Sequence, residues 1–279
     1  MNELALFAGT GGGLLASRLL GWSTACAVEL AEYPRQVLLQ RQRDGHLDHF
    51  PIWDDVRTFD GRPWRGGIDI ITGGFPCQDI SGAGTGAGLA GSRSGLWFEY
   101  QRIIEEARPR FVFAENSPNL RTRGLGQIIE GLAALGYDAR WCVLGAWHVS
   151  APHRRDRMWV LAHAEGDRRG SGLRQAQPII DGYQSPHCGS DSATTDPDGT
   201  GREEQRGACP TSTTHQTAEC GGWWTAEPAL GRVAHGVANR VDRLKAIGNG
   251  QVPLVAATAF KLLSQGWIEQ NGTQQVEGT

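Results

Sequence analysis

The residues most able to do chemistry here are Gly73-Gly74-Phe75-Pro76-Cys77-Gln78-Asp79-Ile80-Ser81, which set one cysteine in a turn just past an apolar, strand-like run, Ile68 to Thr72. A thiolate at such a point can attack carbon if neighbouring donors lower its pKa. The same residues also describe a buried or incidental thiol beside a Pro turn. Glu115-Asn116 close another apolar run, Phe111-Val112-Phe113-Ala114. A carboxyl there shares a sheet rim with Cys77 and can donate or accept a proton, or simply pair with a cation. In Val149-Ser150-Ala151-Pro152-His153-Arg154-Arg155-Asp156-Arg157, alternate arginines reach one side, where a guanidinium fork can bind a carbonyl and a phosphate; a solvated turn reads equally well.

A second set of residues suits a nucleoside-containing cofactor. Leu4-Ala5-Leu6-Phe7 runs directly into Ala8-Gly9-Thr10-Gly11-Gly12-Gly13, after which Leu14, Leu15, Leu19 and Leu20 recur at helical spacing. Such glycines let a ligand approach the backbone, and the following helix start offers unpaired N–H groups, although an ordinary tight turn has the same appearance. No Lys-Ser/Thr pair completes a phosphate loop. Glu29 ends the strand Thr24 to Val28, where a carboxylate can accept both hydroxyls of a ribose or cap a helix. Asp55-Val56 follow Trp53-Asp54, and Ala246-Ile247-Gly248-Asn249-Gly250-Gln251-Val252-Pro253 reads as a glycine turn before a last helix.

Phe75-Pro76-Cys77-Gln78 with Ser81, the glycine loop, Glu115-Asn116, the arginine cluster and the Asn249 turn occur in one order. In that order they resemble the cytosine-C5 DNA methyltransferases, over nearly the whole chain apart from residues 164–222. The resemblance implies an α/β, Rossmann-like S-adenosylmethionine-dependent methyltransferase sheet with a small inserted recognition region. It makes Cys77 the nucleophile, assisted by Glu115, Asn116, Arg155 and Arg157. It gives S-adenosyl-L-methionine a site built from Phe7, Ala8, Gly9, Thr10, Gly11, Gly12, Glu29, Leu30, Asp55, Val56, Pro76, Asn249 and Gly250, with no metal. Implied partners are double-stranded DNA, a cognate restriction endonuclease and no membrane, for a monomer in the cytoplasm of a bacterial or phage-infected cell. Departures from the family pattern fall at Ala5, Leu30, Ser117 and His153, and the usual arginine-containing motif after the insert is not found. Cytosine-C5 methylation of structured RNA and a catalytically silent DNA-binding regulatory protein are the alternatives. A dinucleotide-dependent oxidoreductase leaves Cys77-Gln78 and Asn249-Gly250 unexplained.

The elements that must position these groups alternate between strands and helices. Leu96 to Ala107 and Gly126 to Leu135 read as helices, Tyr137 to Trp147 and Arg157 to Ala162 as strands. Five glycines between residues 82 and 91 make 82–95 a candidate closing loop. Residues 1–163 and 223–279 would form the catalytic and cofactor-binding domain, and 164–222, poor in large apolar residues, the recognition insert. His187, Cys188, Cys209, His215 and Cys220 lack finger spacing and read as unrelated residues of a polar loop.

At 279 residues the chain can bury a full α/β core. Its net charge of −3 argues neither for nor against nucleic acid, and its cation is nearly all arginine, Lys245 and Lys261 being the only lysines. Six scattered cysteines imply no disulfide framework, and the absence of a long apolar run suggests a soluble protein of a reducing compartment.

Overall fold

Short apolar runs at period two build one mixed sheet in the computed structural model, which describes residues 1–76, 95–164 and 240–268. The strands are β1 (Asn2–Leu6), β2 (Ser23–Val28), β3 (Ile52–Trp53), β4 (Ile70–Gly74), β5 (Phe111–Asn116), β6 (Tyr137–Leu144) and β7 (Arg157–Ala164), in the order β3-β2-β1-β4-β5-β7-β6. Neighbours from β3 through β5 are parallel, whereas β7 runs antiparallel to both β5 and β6. This is the expected α/β, Rossmann-like sheet.

Alternating side chains feed two cores, because successive residues of a strand point to opposite faces. Leu4, Leu6, Ile71, Val112 and Ala114 meet α3 (Leu96–Ala107) and α5 (Leu125–Ala134) on one face. Ala5, Ile70, Phe111 and Phe113 lie on the other, under α1 (Gly12–Leu19), α2 (Glu32–Arg43) and α7 (Pro253–Leu263). In α3 the buried Trp97, Tyr100, Ile104 and Ala107 repeat at three and four residues, which turns one stripe inward. Each large side chain buried this way contributes about 1.5–3 kcal/mol of transfer free energy. The Tyr100 hydroxyl is within 3.3 Å of the Ile71 and Phe113 carbonyl oxygens, so its polar end is satisfied between β4 and β5.

The remaining helices are α4 (Leu120–Arg123) and α6 (Arg240–Asn249). Three local readings change. Strand β6 stops at Leu144, short of Trp147, and a 3-10 turn covers Ala146–Val149. Gly145 forces this, because it packs against Asp156 and the Arg154 carbonyl with no room for a side chain, and Trp147 Nε1 donates to Asp156 at 2.9 Å. Residues 246–249 are the last turn of α6, so the glycine turn is confined to 250–252. Glu115 and Asn116 lie within β5, paired with Trp159 and Met158 of β7.

Cys77, the rest of the 82–95 loop before Gly95, the 164–222 insert beyond Ala164 with its His and Cys residues, and 223–239 lie outside the described residues. Among the described residues no helix is long and apolar enough to cross a membrane, and no group of His, Cys, Asp or Glu could hold a metal ion.

Candidate active site

Strand order reverses between β1 and β4, since β1 is followed outward by β2 and β3 on one side and by β4 and β5 on the other. The loops leaving such a point separate and open a crevice at the carboxyl ends of the strands. A cleft lies there, lined by Phe7, Ala8 and Gly9 after β1, Gly73 and Gly74 of β4, Glu115 of β5, and Asn249, Gly250 and Gln251 from the far end of the chain. Phe7 turns the chain out of β1 at φ 52°, a left-handed conformation costly for a residue with a side chain. The Gly9 N–H donates to Glu29 Oε2 at 2.8 Å, and Glu29 Oε1 accepts the Ala31 N–H at 2.9 Å. Gly12 comes so close to the Gln251 backbone that a Cβ would collide with it, so only glycine lets the two ends of the chain meet.

Glu115 is the cleft's buried carboxyl, 8% exposed. Its Oε1 pairs with Arg157 Nε at 3.0 Å, and its side chain also accepts a hydrogen bond from Gln251. Burial pushes the carboxyl above its ordinary range, while Arg157, Arg155 and the Gln251 bond pull the other way. A carboxyl so placed is held by a cation at the cleft, where it can exchange a proton with a bound group.

Asn116 Nδ2 donates to the Phe75 carbonyl at 3.2 Å and its Oδ1 accepts the Ser117 N–H at 2.7 Å. It therefore fixes the backbone entering Pro76, the residue before Cys77. Arg155, at φ 42°, turns its guanidinium to the carbonyls of Ile247 (3.1 Å), Gly248 (2.9 Å) and Gly250. Those carbonyls lie in the last turn of α6 (Arg240–Asn249) and just past it, where a cation suits the helix end.

The sequence pattern described as C-5 cytosine-specific DNA methylase matches residues 1–186. The chain belongs to this family. It is 35% identical over 163 residues to the type II methyltransferase M.CviJI of Paramecium bursaria Chlorella virus IL3A, a match covering 58% of this chain and 42% of that protein. It is 29% identical over 164 residues to M.Eco47II of Escherichia coli, covering 57% of this chain and 38% of that one. In both cases less than half of the relative's own length is spanned. Among solved structures, a variant of Spodoptera frugiperda DNMT2 shares the fold with a TM-score of 0.51 at 16% identity, covering 67% of this chain and 57% of that one.

Membership in the C-5 methylase family implies S-adenosyl-L-methionine as the cofactor, and the residues present fit it. Each Glu29 oxygen spends one acceptor site on the backbone and keeps others for hydroxyls. Helix α1 has no side-chain cap, which leaves its first-turn N–H groups to an anionic group such as a carboxylate.

Of the residues expected from the sequence, Phe7, Ala8, Gly9, Asn249, Gly250 and Glu115 line the cleft itself. Thr10, Gly11 and Gly12 continue the glycine loop behind it, and Glu29 reaches it through Gly9. Leu30 is 59% exposed beyond β2; Asp55 pairs with Arg57 at 2.7 Å; Val56 is buried in the core with its carbonyl bound by Arg102. Pro76 is partly buried at the end of the described β4 turn. Arg157 meets Glu115, whereas Arg155 is engaged with backbone carbonyls instead of standing free for a base or phosphate. Gln251 and Gly74 went unassigned: both lie inside quoted motifs, but nothing local marks a contact with Glu115.

Proposed function

We propose that the chain transfers a methyl group from S-adenosyl-L-methionine to C5 of cytosine in double-stranded DNA, through a covalent bond between Cys77 and C6 of an extruded cytosine. The observation that carries this reading is the buried Glu115 carboxyl, held by Arg157 at one end of a cleft whose other wall is the glycine loop. In sequence the same rim continues through Phe75-Pro76 into Cys77.

When bound, the cofactor supplies an electrophilic methyl group. Cytosine C5 is too poor a nucleophile to take it unaided. The Cys77 thiolate adds to C6 while the Glu115 carboxyl gives a proton to N3, so the displaced electron pair gathers at C5 and takes the methyl. A base then accepts the C5 proton, the Cys77–C6 bond breaks as the ring double bond re-forms, and N3 returns its proton to Glu115. A cytosine stacked in a duplex is out of reach, so it must swing out at a cost of about a few kcal/mol. Target choice is assigned to the 164–222 insert, because phosphate contacts carry no sequence information. The type II relatives favour a cognate restriction endonuclease as partner and the cytoplasm of a bacterial or phage-infected cell as the place of action.

The test is duplex DNA carrying 5-fluorocytosine, incubated with the protein and cofactor and read by mass spectrometry, with structured RNA in parallel. Fluorine cannot leave as a proton would, so an adduct should accumulate on DNA and vanish in Cys77→Ser. Binding of both partners without an adduct would overturn the covalent route, and an adduct on RNA alone would move the substrate.

A further inference from the structure

Gln251 stands where three parts of the cleft converge. Its backbone is packed on Gly12, and a Cβ on Gly13 would lie 2.7 Å from its side-chain Oε1. A Cβ on Gly74 would lie 3.2 Å from its Nε2 and 2.5 Å from Glu115 Oε2. The amide hydrogen-bonds Glu115, whose Oε1 is already held by Arg157. One side chain therefore touches the glycine loop, the end of β4 and the carboxyl.

Its own place is fixed on both sides. Arg155 clamps the carbonyls of Ile247, Gly248 and Gly250 immediately before it. Pro253 opens α7 two residues later, and that helix is anchored by the buried Val255, Ala256, Ala259, Phe260 and Leu263.

We propose that Gln251 is a positioning residue for Glu115, the second of two donors that fix the carboxyl toward the cleft and tie its orientation to the glycine loop. With Arg157 alone, the carboxyl could turn about that one bond. A second donor leaves it one orientation, and orientation of a proton donor is worth rate. The inference rests on Glu115 acting at cytosine N3, as proposed above.

The test uses Gln251→Met, which keeps length but removes the amide, and Gln251→Glu, which keeps shape. Each is compared with wild type in three measurements: binding of S-adenosylhomocysteine, the pH profile of kcat, and a carbon-13 NMR titration of the Glu115 carboxyl assigned with Glu115→Gln. For Gln251→Met we expect cofactor binding within about threefold of wild type and kcat lower by about tenfold or more. Loss of a donor to the charged form should move the alkaline limb of the profile and the Glu115 titration to higher pH. Gln251→Glu should move both further, since a second carboxylate disfavours ionisation of the first. If Gln251→Met does not fold, the same readouts on Gln251→Glu decide.

Unchanged titration and unchanged kcat, or a loss confined to cofactor affinity, would reduce Gln251 to a wall of the cleft. Full turnover by Glu115→Gln would instead overturn the acid role of Glu115. An inactive Glu115→Gln beside a normal Gln251→Met would remove only the positioning role.

Discussion

Replacing Gly12 by alanine tests whether the two chain ends really build one cleft. The added methyl would meet the main chain of Gln251, not a side chain that can rotate away. Overpacking of a rigid contact costs about 2–3 kcal/mol, and alanine in place of glycine in a helix returns roughly 0.5–1 kcal/mol. The net loss is about 1–2.5 kcal/mol. At about 2–4 °C per kcal/mol for a domain of this size, the melting temperature should fall by roughly 2–10 °C. Relief requires residues 249–251 to back away from α1, so S-adenosylhomocysteine affinity, measured by calorimetry, should weaken by about tenfold or more. Two controls bracket the result. A Cβ on Gly126, in α5, meets nothing within 4 Å, so Gly126→Ala should be as stable as wild type or more so. Gly13→Ala meets only the end of the Gln251 side chain, which can rotate aside at little cost in stability, but in doing so it should lower turnover. A Gly12→Ala protein with wild-type melting and affinity would refute the closure of the cleft by residues 249–251.

Arg155→Ala should weaken cofactor binding through the loosened 247–250 turn and leave the salt dependence of DNA binding unchanged. A salt slope shallower by about 0.9 would instead count one phosphate contact to this residue. Arg102 binds the carbonyls of Val56 (2.9 Å) and Phe59 (3.0 Å) and pairs with Glu99 and Glu106. Arg102→Met should therefore free the Asp55-Val56 loop and cost about tenfold in cofactor affinity by calorimetry, with a smaller change refuting the tether. Glu3 is wholly buried and accepts hydroxyls from Ser17 (2.8 Å), Thr24 (3.1 Å) and Thr72 (2.5 Å). Burial holds its carboxyl above the ordinary range despite those bonds. Between the unfolded and folded pKa values the folded protein thus keeps a proton that the unfolded chain has released. This group's contribution is full below its unfolded pKa and is lost as pH rises through the folded value. Urea melts of Glu3→Gln should gain on wild type as pH is raised from acid to neutral, and a difference independent of pH would contradict this.

What could be read from the sequence was local. The bounds of α3 are those the apolar spacing gives, 96–107, because Trp97, Tyr100 and Ile104 leave one face and no breaker intervenes. The glycine loop, Glu29 and Glu115 were legible because each ends an apolar strand, and strand ends in this topology meet at one rim. The use of Arg155 was not legible. Its sequence context fixes a fork of donors, and the acceptors are supplied by a segment that arrives only when the chain closes. The Gln251 contact with Glu115 was hidden for the same reason. The early end of β6 depended on Gly145 packing against Asp156, a contact across the turn that no periodicity announces.

Strand β7 enters at the cleft rim with Arg157 and leaves at the opposite rim, where His163 faces Phe111 and the Ala164 N–H donates to Arg110. It is laddered on both flanks along the way, to β5 and to β6. Whatever follows Ala164 can therefore lengthen, shorten or be exchanged without dragging on the carboxyl–guanidinium pair. A lineage could exchange the segment behind this splint while the paired groups at the cleft stay put.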